Sequence, residues 1–179
     1  MKIKNAMIDL ETLATDSNAV VLTIGAVKFN PFTDEITDKL HLKLDVDSQI
    51  DKGRSVCDDT LAWWGTQDKE VRETAFTTNR IDVSEALNSL NEWSKDTIRV
   101  WCQGPSFDFP ILDSLYKQYD INKPWDWWFQ RDARTVTSLV NEDLKEKIQF
   151  NAHDAVEDCI KQAKCVQYVF KKLNINHTF

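Results

Sequence analysis

The strongest constraint on the fold is a series of short, β-branched apolar runs at the start of the chain, each closed by turn-forming residues. Residues 2–9 and 20–29 are rich in Val, Ile, Leu, Met and Phe, and Asp16, Ser17 and Asn18 between them supply turn chemistry. They predict a hairpin. After Asn30 and Pro31, the run from Ile36 to Leu44 alternates Leu40, Leu42 and Leu44 with Lys39, His41 and Lys43, the period of a half-solvated strand. Three antiparallel strands therefore open the fold.

The pattern then changes period. Ala86, Leu87, Leu90 and Trp93 recur at helical spacing between Ser84 and Trp93, and the run Ile98 to Cys102 is too short and too β-branched for another helix. Ile111, Leu112, Leu115, Tyr116 and Tyr119 predict a helix after Asp108, and Ala133 to Val140 a weaker one. Val156, Ile160, Ala163, Val166, Val169, Phe170 and Leu173 predict a long closing helix. Asp45 to Arg54 reads as a polar loop. Antiparallel strands followed by alternating helices and strands give an α/β fold with a mixed sheet flanked by helices. At 179 residues with no repeat or linker, the expectation is a single domain over 1–179.

Charge and composition exclude several classes. Twenty-two Lys and Arg against 29 Asp and Glu leave a formal −7, which gives no general attraction to a phosphate backbone. A nucleic-acid role would need metal ions or a local basic strip. No apolar run approaches the roughly 20 residues that span a bilayer, which predicts a soluble, intracellular protein without a membrane partner. Cys57, Cys102, Cys159 and Cys165 form no Cys-x-x-Cys pair, so reduced thiols are expected.

Three segments carry carboxylates where a metal centre would need them. Asp9 and Glu11, two apart in a strand, point to one face. Their repulsion asks for a cation or a proton, and hard oxygen ligands select Mg²⁺ or Mn²⁺; a solvated strand edge is the plainer alternative. Asp108 lies in Gly104-Pro105-Ser106-Phe107-Asp108-Phe109-Pro110 at a helix start, with Ser106 as expected N-cap and Asp108 pointing out between two burying Phe residues. There it is equally suited to favouring the helix dipole. Asp154 with Glu157 matches a capping box, which puts Asp158 at the fourth helical position and His153 just before the cap, in side-chain contact. An imidazole and a carboxylate then occupy the positions of a hydrophobic staple, as a functional pair or as a surface ion pair.

Taken together, Asp9 and Glu11 in a first strand, Phe107-Asp108 after a middle strand, and His153 five residues before Asp158 resemble the three motifs of the DEDDh branch of the DEDD 3′-5′ exonuclease superfamily. Trp63-Trp64, the segment Gln103 to Leu112, and Gln130-Arg131-Asp132-Ala133-Arg134-Thr135 resemble, within it, a phage exonuclease and a related bacterial exoribonuclease. Gly104-Pro105-Ser106 departs from the Asn-rich turn of many relatives. The resemblance implies a ribonuclease-H-like fold, two Mg²⁺ (or Mn²⁺) held by Asp9, Glu11, Asp108 and Asp158, and His153 as general base. It further implies release of nucleoside 5′-monophosphates from single-stranded 3′ ends, in a bacterial or phage-infected cytoplasm, and leaves a homodimer open.

That chemistry suits these residues. Two metals about 4 Å apart activate water, steady charge on phosphorus and neutralise the departing oxygen. Two dications cancel four carboxylates, which removes the objection raised by the acidic balance. An imidazole, with a free pKa of about 6.5, can take the attacking water's proton near neutral pH. The resemblance further implies that Glu11 and main-chain groups near Thr12 and Leu13 hold the terminal hydroxyl. Trp64 and Phe107 are expected to contact bases, whereas Trp63 is expected in the core. Arg131 is expected on phosphate, unless it pairs with Asp132. DNA is the expected substrate, with RNA trimming as one alternative and a silent nucleic-acid-binding domain as another. A two-carboxylate glycosidase would leave Asp108, His153 and Asp158 idle.

Overall fold

The computed structural model describes residues 5–148 and 154–176. Strands β1 (Asn5–Thr12), β2 (Val21–Phe29) and β3 (Ile36–Lys43) form the expected antiparallel meander, and β4 (Arg99–Cys102) and β5 (Gln130–Asp132) add in parallel on the other side of β1. The strand order is β3-β2-β1-β4-β5. The expected strand residues 2–4 lie outside the described residues. β1 is thus central and has a partner on both sides, which is why seven of its eight residues are buried. Its alternation sends Ile8 and Leu10 to one core and Met7 to the other, and puts Asp9 and Glu11 on the second face.

Helices follow as α1 (Asp47–Asp51), α2 (Asp58–Thr66), α3 (Lys69–Ala75), α4 (Val83–Ser94), α5 (Asp108–Gln118), α6 (Ala133–Thr137), α7 (Leu144–Lys147) and α8 (Ala155–Lys172). The first core joins α4 and α5 to the sheet through Leu87, Leu90, Ile111, Leu112 and Leu115; the second joins α8 through Val156, Cys159, Ala163, Val166 and Phe170. α8 is N-capped by Asp154, whose carboxylate accepts from the Val156 and Glu157 amides, as the capping-box pattern predicts.

The polar stretch Asp45–Arg54 is not the loop expected. It folds into α1 because the fully buried Gln49 plugs into β2, accepting from the Val21 amide and donating to the Val21 and Asp45 carbonyls. A polar anchor of this kind leaves no trace in a hydrophobic pattern. The weaker predicted helix stops at Thr137, and β5 just before it was not predicted. All four cysteines are free, and among the described residues no helix is long and apolar enough to cross a membrane.

Candidate active site

Carboxylates from both ends of the chain meet where β1 leaves the sheet. Oxygens of Asp9, Glu11 and Asp158 lie within 4.8 Å of one another. Asp158 arrives from the first turns of α8, brought down onto β2 by Gly25, the cross-strand neighbour of Asp9. A Cβ on Gly25 would stand 2.3 Å from the Ala155 carbonyl carbon and oxygen, so any side chain there would push the start of α8, and Asp158 with it, off the sheet.

Asp108 comes from the start of α5 and is 3 % exposed. It turns inward rather than out, accepting from the Leu10 amide at 3.2 Å. That inward turn also overturns the expected cap: Phe107, not Ser106, precedes the helix, and no side chain caps it. Asp108 is not among the three carboxylates whose oxygens converge, yet its charge acts on both Asp9 and Glu11.

The electrostatics follow from burial and like charge. Asp9 is held well above the ordinary carboxylate range, first by burial and then by Asp108, Glu11 and Asp158. Burial, then Asp158, Asp154 and Asp108, push Glu11 up to about 8. Burial raises Asp108 to about 7, although bonds from Leu10 and Cys102 and the charge of Arg134 oppose it. Among the described residues one neutral donor helps Asp9: Gln162, one turn beyond Asp158 on α8, donates to Asp9 Oδ1 at 2.8 Å. Gln162 is itself buried, and its side-chain carbonyl oxygen has no hydrogen-bond partner among the described residues. The donor set is all oxygen and acidic, and the cost of gathering it falls if hard dications bind; the residues therefore fit Mg²⁺ or Mn²⁺.

Beside the carboxylates opens a pocket of about 470 Å³ lined by Leu10, Glu11, Thr12, Trp63 and Phe107 among others. Here the expectation for the Trp pair is reversed. Trp64 is 2 % exposed and donates its indole N–H to the Thr12 carbonyl, so it fastens the end of β1 and offers no open face. Trp63, expected in the core, is 41 % exposed and contributes to the pocket. The main chain at Thr12 and Leu13 is also largely committed. The Leu13 amide donates to Val20 and its carbonyl accepts from Cys57, while the Thr12 hydroxyl donates to Ala14.

Arg131 does not reach the site. Its guanidinium donates to the Trp128 and Gln130 carbonyls, and it makes no ion pair with Asp132, whose carboxylate caps α6. Trp127 and Trp128 are exposed on the turn before β5. Because β5 runs parallel to β4 and β1, that turn is at the opposite end of the sheet from the carboxylates. The expected general base, His153, lies outside the described residues. Gly25 and Gln162 were not singled out from sequence. An isolated glycine inside a strand does signal a close backbone approach; a glutamine on a helix carries no such signal.

A mixed sheet of this order, with acidic residues from β1, α5 and α8 around one strand end, has the ribonuclease-H-like fold with a carboxylate site at the end of its central strand. Residues 4–170 match the family described as 3′-5′ exoribonuclease Rv2179c-like domain, and the chain belongs to it. It is also 28% identical over 206 residues to an exodeoxyribonuclease of Enterobacteria phage T4, covering 92% of this chain and 88% of the relative. Among solved structures, Exonuclease I from Methylocaldum szegediense superposes with a TM-score of 0.65 at 14% identity. The match takes in 96% of this chain but 41% of that one, so this chain spans about two fifths of its length. Exonuclease X, solved with 5′ overhanging duplex DNA, gives 0.62 at 12% identity over 95% and 93% of the two chains. These two share the fold; the family match carries the activity class, a phosphodiester-cleaving 3′-5′ exonuclease.

Proposed function

We propose that the protein, as one domain, removes nucleoside 5′-monophosphates from the 3′ ends of single-stranded DNA with the aid of two divalent cations, Mg²⁺ or Mn²⁺. The observation that carries this reading is the convergence of Asp9, Glu11 and Asp158 within 4.8 Å, with Asp108 beside them, at the mouth of an apolar pocket. Asp9, Glu11, Asp108 and Asp158 would hold the cations. Those cations supply charge neutralisation on the phosphate, activation of water and stabilisation of the departing oxygen.

The chain's own residues do the rest. Gln162 fixes the rotamer of Asp9, leaving the second carboxylate oxygen to face the site. Trp63 and Phe107 flank the pocket beside Glu11 and receive the terminal nucleoside, its base against the rings and its sugar hydroxyl toward the Glu11 carboxylate. His153, immediately before the cap of α8, takes the proton of the attacking water. Trimming of RNA is the second reading, favoured by the description of the family itself; the phage relative is named for DNA.

The test is digestion of 5′-labelled DNA and RNA oligomers with free or blocked 3′ ends, in Mg²⁺, in Mn²⁺ and in excess chelator. A ladder that starts at the free 3′ end and requires the cation is expected, with DNA degraded faster. Equal cleavage of blocked oligomers, or cleavage in chelator, would overturn the reading; faster RNA degradation would move the substrate to the second one.

A further inference from the structure

A second cleft, of about 490 Å³, opens between α6 and α8 and shares no lining residue with the apolar pocket. Arg134 and Lys161 line it, together with Gln103, Glu142 and Asp143. Arg134 is a built feature. Its guanidinium donates to the Gln103 carbonyl at 3.3 Å and lies against Gly104, where a Cβ would come within 3.2 Å of it; Gly104 also has φ +101°, a backbone conformation that suits glycine.

Among the described residues this guanidinium makes no ion pair within 4.0 Å, although the side chain is exposed and its charge reaches Asp108. Glu142 does not answer it, being engaged by Lys147, Lys172 and the Tyr168 hydroxyl. Lys161 stands three residues, one helical turn, beyond Asp158 on the same face of α8. In a chain of formal charge −7, an anchored cation that lines a cleft near buried Asp108, with no carboxylate paired to it among the described residues, is suited to an anionic ligand from outside.

We infer that this cleft is the channel for the upstream internucleotide phosphates of the single strand, with Arg134 and Lys161 as their ligands. The inference rests on the exonuclease reading. The strand would lay its last nucleoside in the Trp63–Phe107 pocket, pass its last phosphodiester over the carboxylates, and carry its next phosphates into the cleft. A guanidinium suits this because its fork of donors matches phosphate oxygens, and the contacts are blind to sequence.

The experiment measures binding of a fluorescent hexanucleotide by anisotropy in Ca²⁺ over a range of KCl concentrations, and hydrolysis of the hexamer and of a dinucleotide in Mg²⁺. For single strands each lost phosphate contact lowers the slope of log K against log salt by about 0.7. Arg134→Gln and Lys161→Gln should each remove about that much, and together about twice it. Hexamer kcat/KM should fall about tenfold, with at most about a threefold change for the dinucleotide, whose single phosphate sits on the carboxylates. Arg134→Lys, which keeps the charge, should retain the slope, and Lys164→Gln, an exposed charge on α8 outside the cleft, should leave it untouched. Unaltered slopes in Arg134→Gln and Lys161→Gln would overturn this inference while the wild type still degraded free 3′ ends. Failure of the wild type to degrade any free 3′ end would instead overturn the exonuclease reading.

Discussion

Two kinds of buried and half-buried charge stand within this one small fold, and they are handled in opposite ways. Arg80 donates to the main-chain carbonyls of Leu22, Leu44 and Ala75, and Lys28 pairs with Asp96 and Asp38 while its ammonium lies over the Trp93 ring. Both charges are answered by the chain itself. At the end of β1 the chain does the reverse, packing Asp9, Glu11, Asp108 and Asp158 together, with Gln162 as the one neutral donor to Asp9 among the described residues. The first kind holds structure; the second leaves its compensation to be brought from outside, and proteins tolerate such a conflict where function needs it.

The sharpest way to break that distinction is to neutralise one charge of each kind. Glu11→Gln should lower kcat/KM by about 10³-fold or more, several kcal/mol of lost charge stabilisation at the phosphate. The same change should leave the metal-free protein about as stable as the wild type near pH 4 and increasingly more stable than it as the pH rises to about 8.5, because it removes a buried carboxyl that must otherwise stay protonated or ionise beside Asp158 and Asp108. Calorimetry in chelator checks the second half, and a clear loss of stability at pH 8.5 would show that Glu11 is a structural charge after all. Arg80→Met should behave in the opposite sense, destabilising by about 3 kcal/mol because three carbonyls lose a charged donor, with little change in cation affinity of the folded fraction.

The pH dependence of stability sharpens the contrast next. Glu11 at about 8 and Asp108 at about 7 lie above the roughly 4.3 and 3.9 of an unfolded chain, so the folded state binds the extra protons between those values. Their contribution is complete below about pH 4 and is lost as the pH rises through 7 and 8. The metal-free protein should therefore lose several degrees of Tm between pH 5 and 8.5, at about 2–4 °C per kcal/mol in a chain this size. Cations compete with those protons, so Mn²⁺ should raise Tm more at pH 8 than at pH 6. A flat profile in chelator would mean that the carboxylates do not share one buried site.

How much of this was legible beforehand depends on what kind of signal each residue leaves. The meander, β4, α4, α5 and α8 follow from hydrophobic period, and Asp154 as cap of α8 from a local pattern that needs no tertiary information. Type and spacing single out Asp9, Glu11, Asp108 and Asp158 one segment at a time, but only the family resemblance joins them into one set, and the inward turn of Asp108 depends on the Leu10 amide 98 residues away. Gln49 and Gln162 were missed for the same reason: each is a buried amide whose partner is remote in sequence, on β2 and β1. Trp63 and Trp64 were assigned the wrong way round because adjacent helical residues face about 100° apart and nothing local says which one meets the core. β5 is three residues long and takes its strand character from pairing with β4 alone.

A smaller effect is expected at Gln162, which belongs to neither kind of charge but bears on the second. Gln162→Leu keeps the volume and removes both the donor to Asp9 and the buried carbonyl that lacks a partner. Loss of a residue that orients a ligand costs about 10–100-fold in metal affinity, which titration of Mn²⁺ followed by electron paramagnetic resonance would read. Since an unpaired buried carbonyl disappears at the same time, Tm in chelator should not fall by more than a few degrees. Unchanged Mn²⁺ affinity would reduce Gln162 to packing.

The smallest effect carries the same distinction, between groups the fold has already satisfied and groups left for a ligand, over to the aromatic residues. Trp63 and Trp127 are both exposed, each in edge-to-face contact with the next Trp in sequence, at centroid distances of 5.0 and 5.5 Å. They differ in what lies beside them: Glu11 and Phe107 around one, the far end of the sheet around the other. A base stacked on an indole is worth about 1–3 kcal/mol, so Trp63→Ala should raise KM about tenfold with a smaller change in kcat. Trp127→Ala, 71 % exposed and remote from the carboxylates, should change neither by more than about twofold. Steady-state kinetics on one oligomer at fixed salt decides it. Equal losses in the two variants would mean that exposure alone, rather than its place beside the carboxylates, accounts for the role of Trp63.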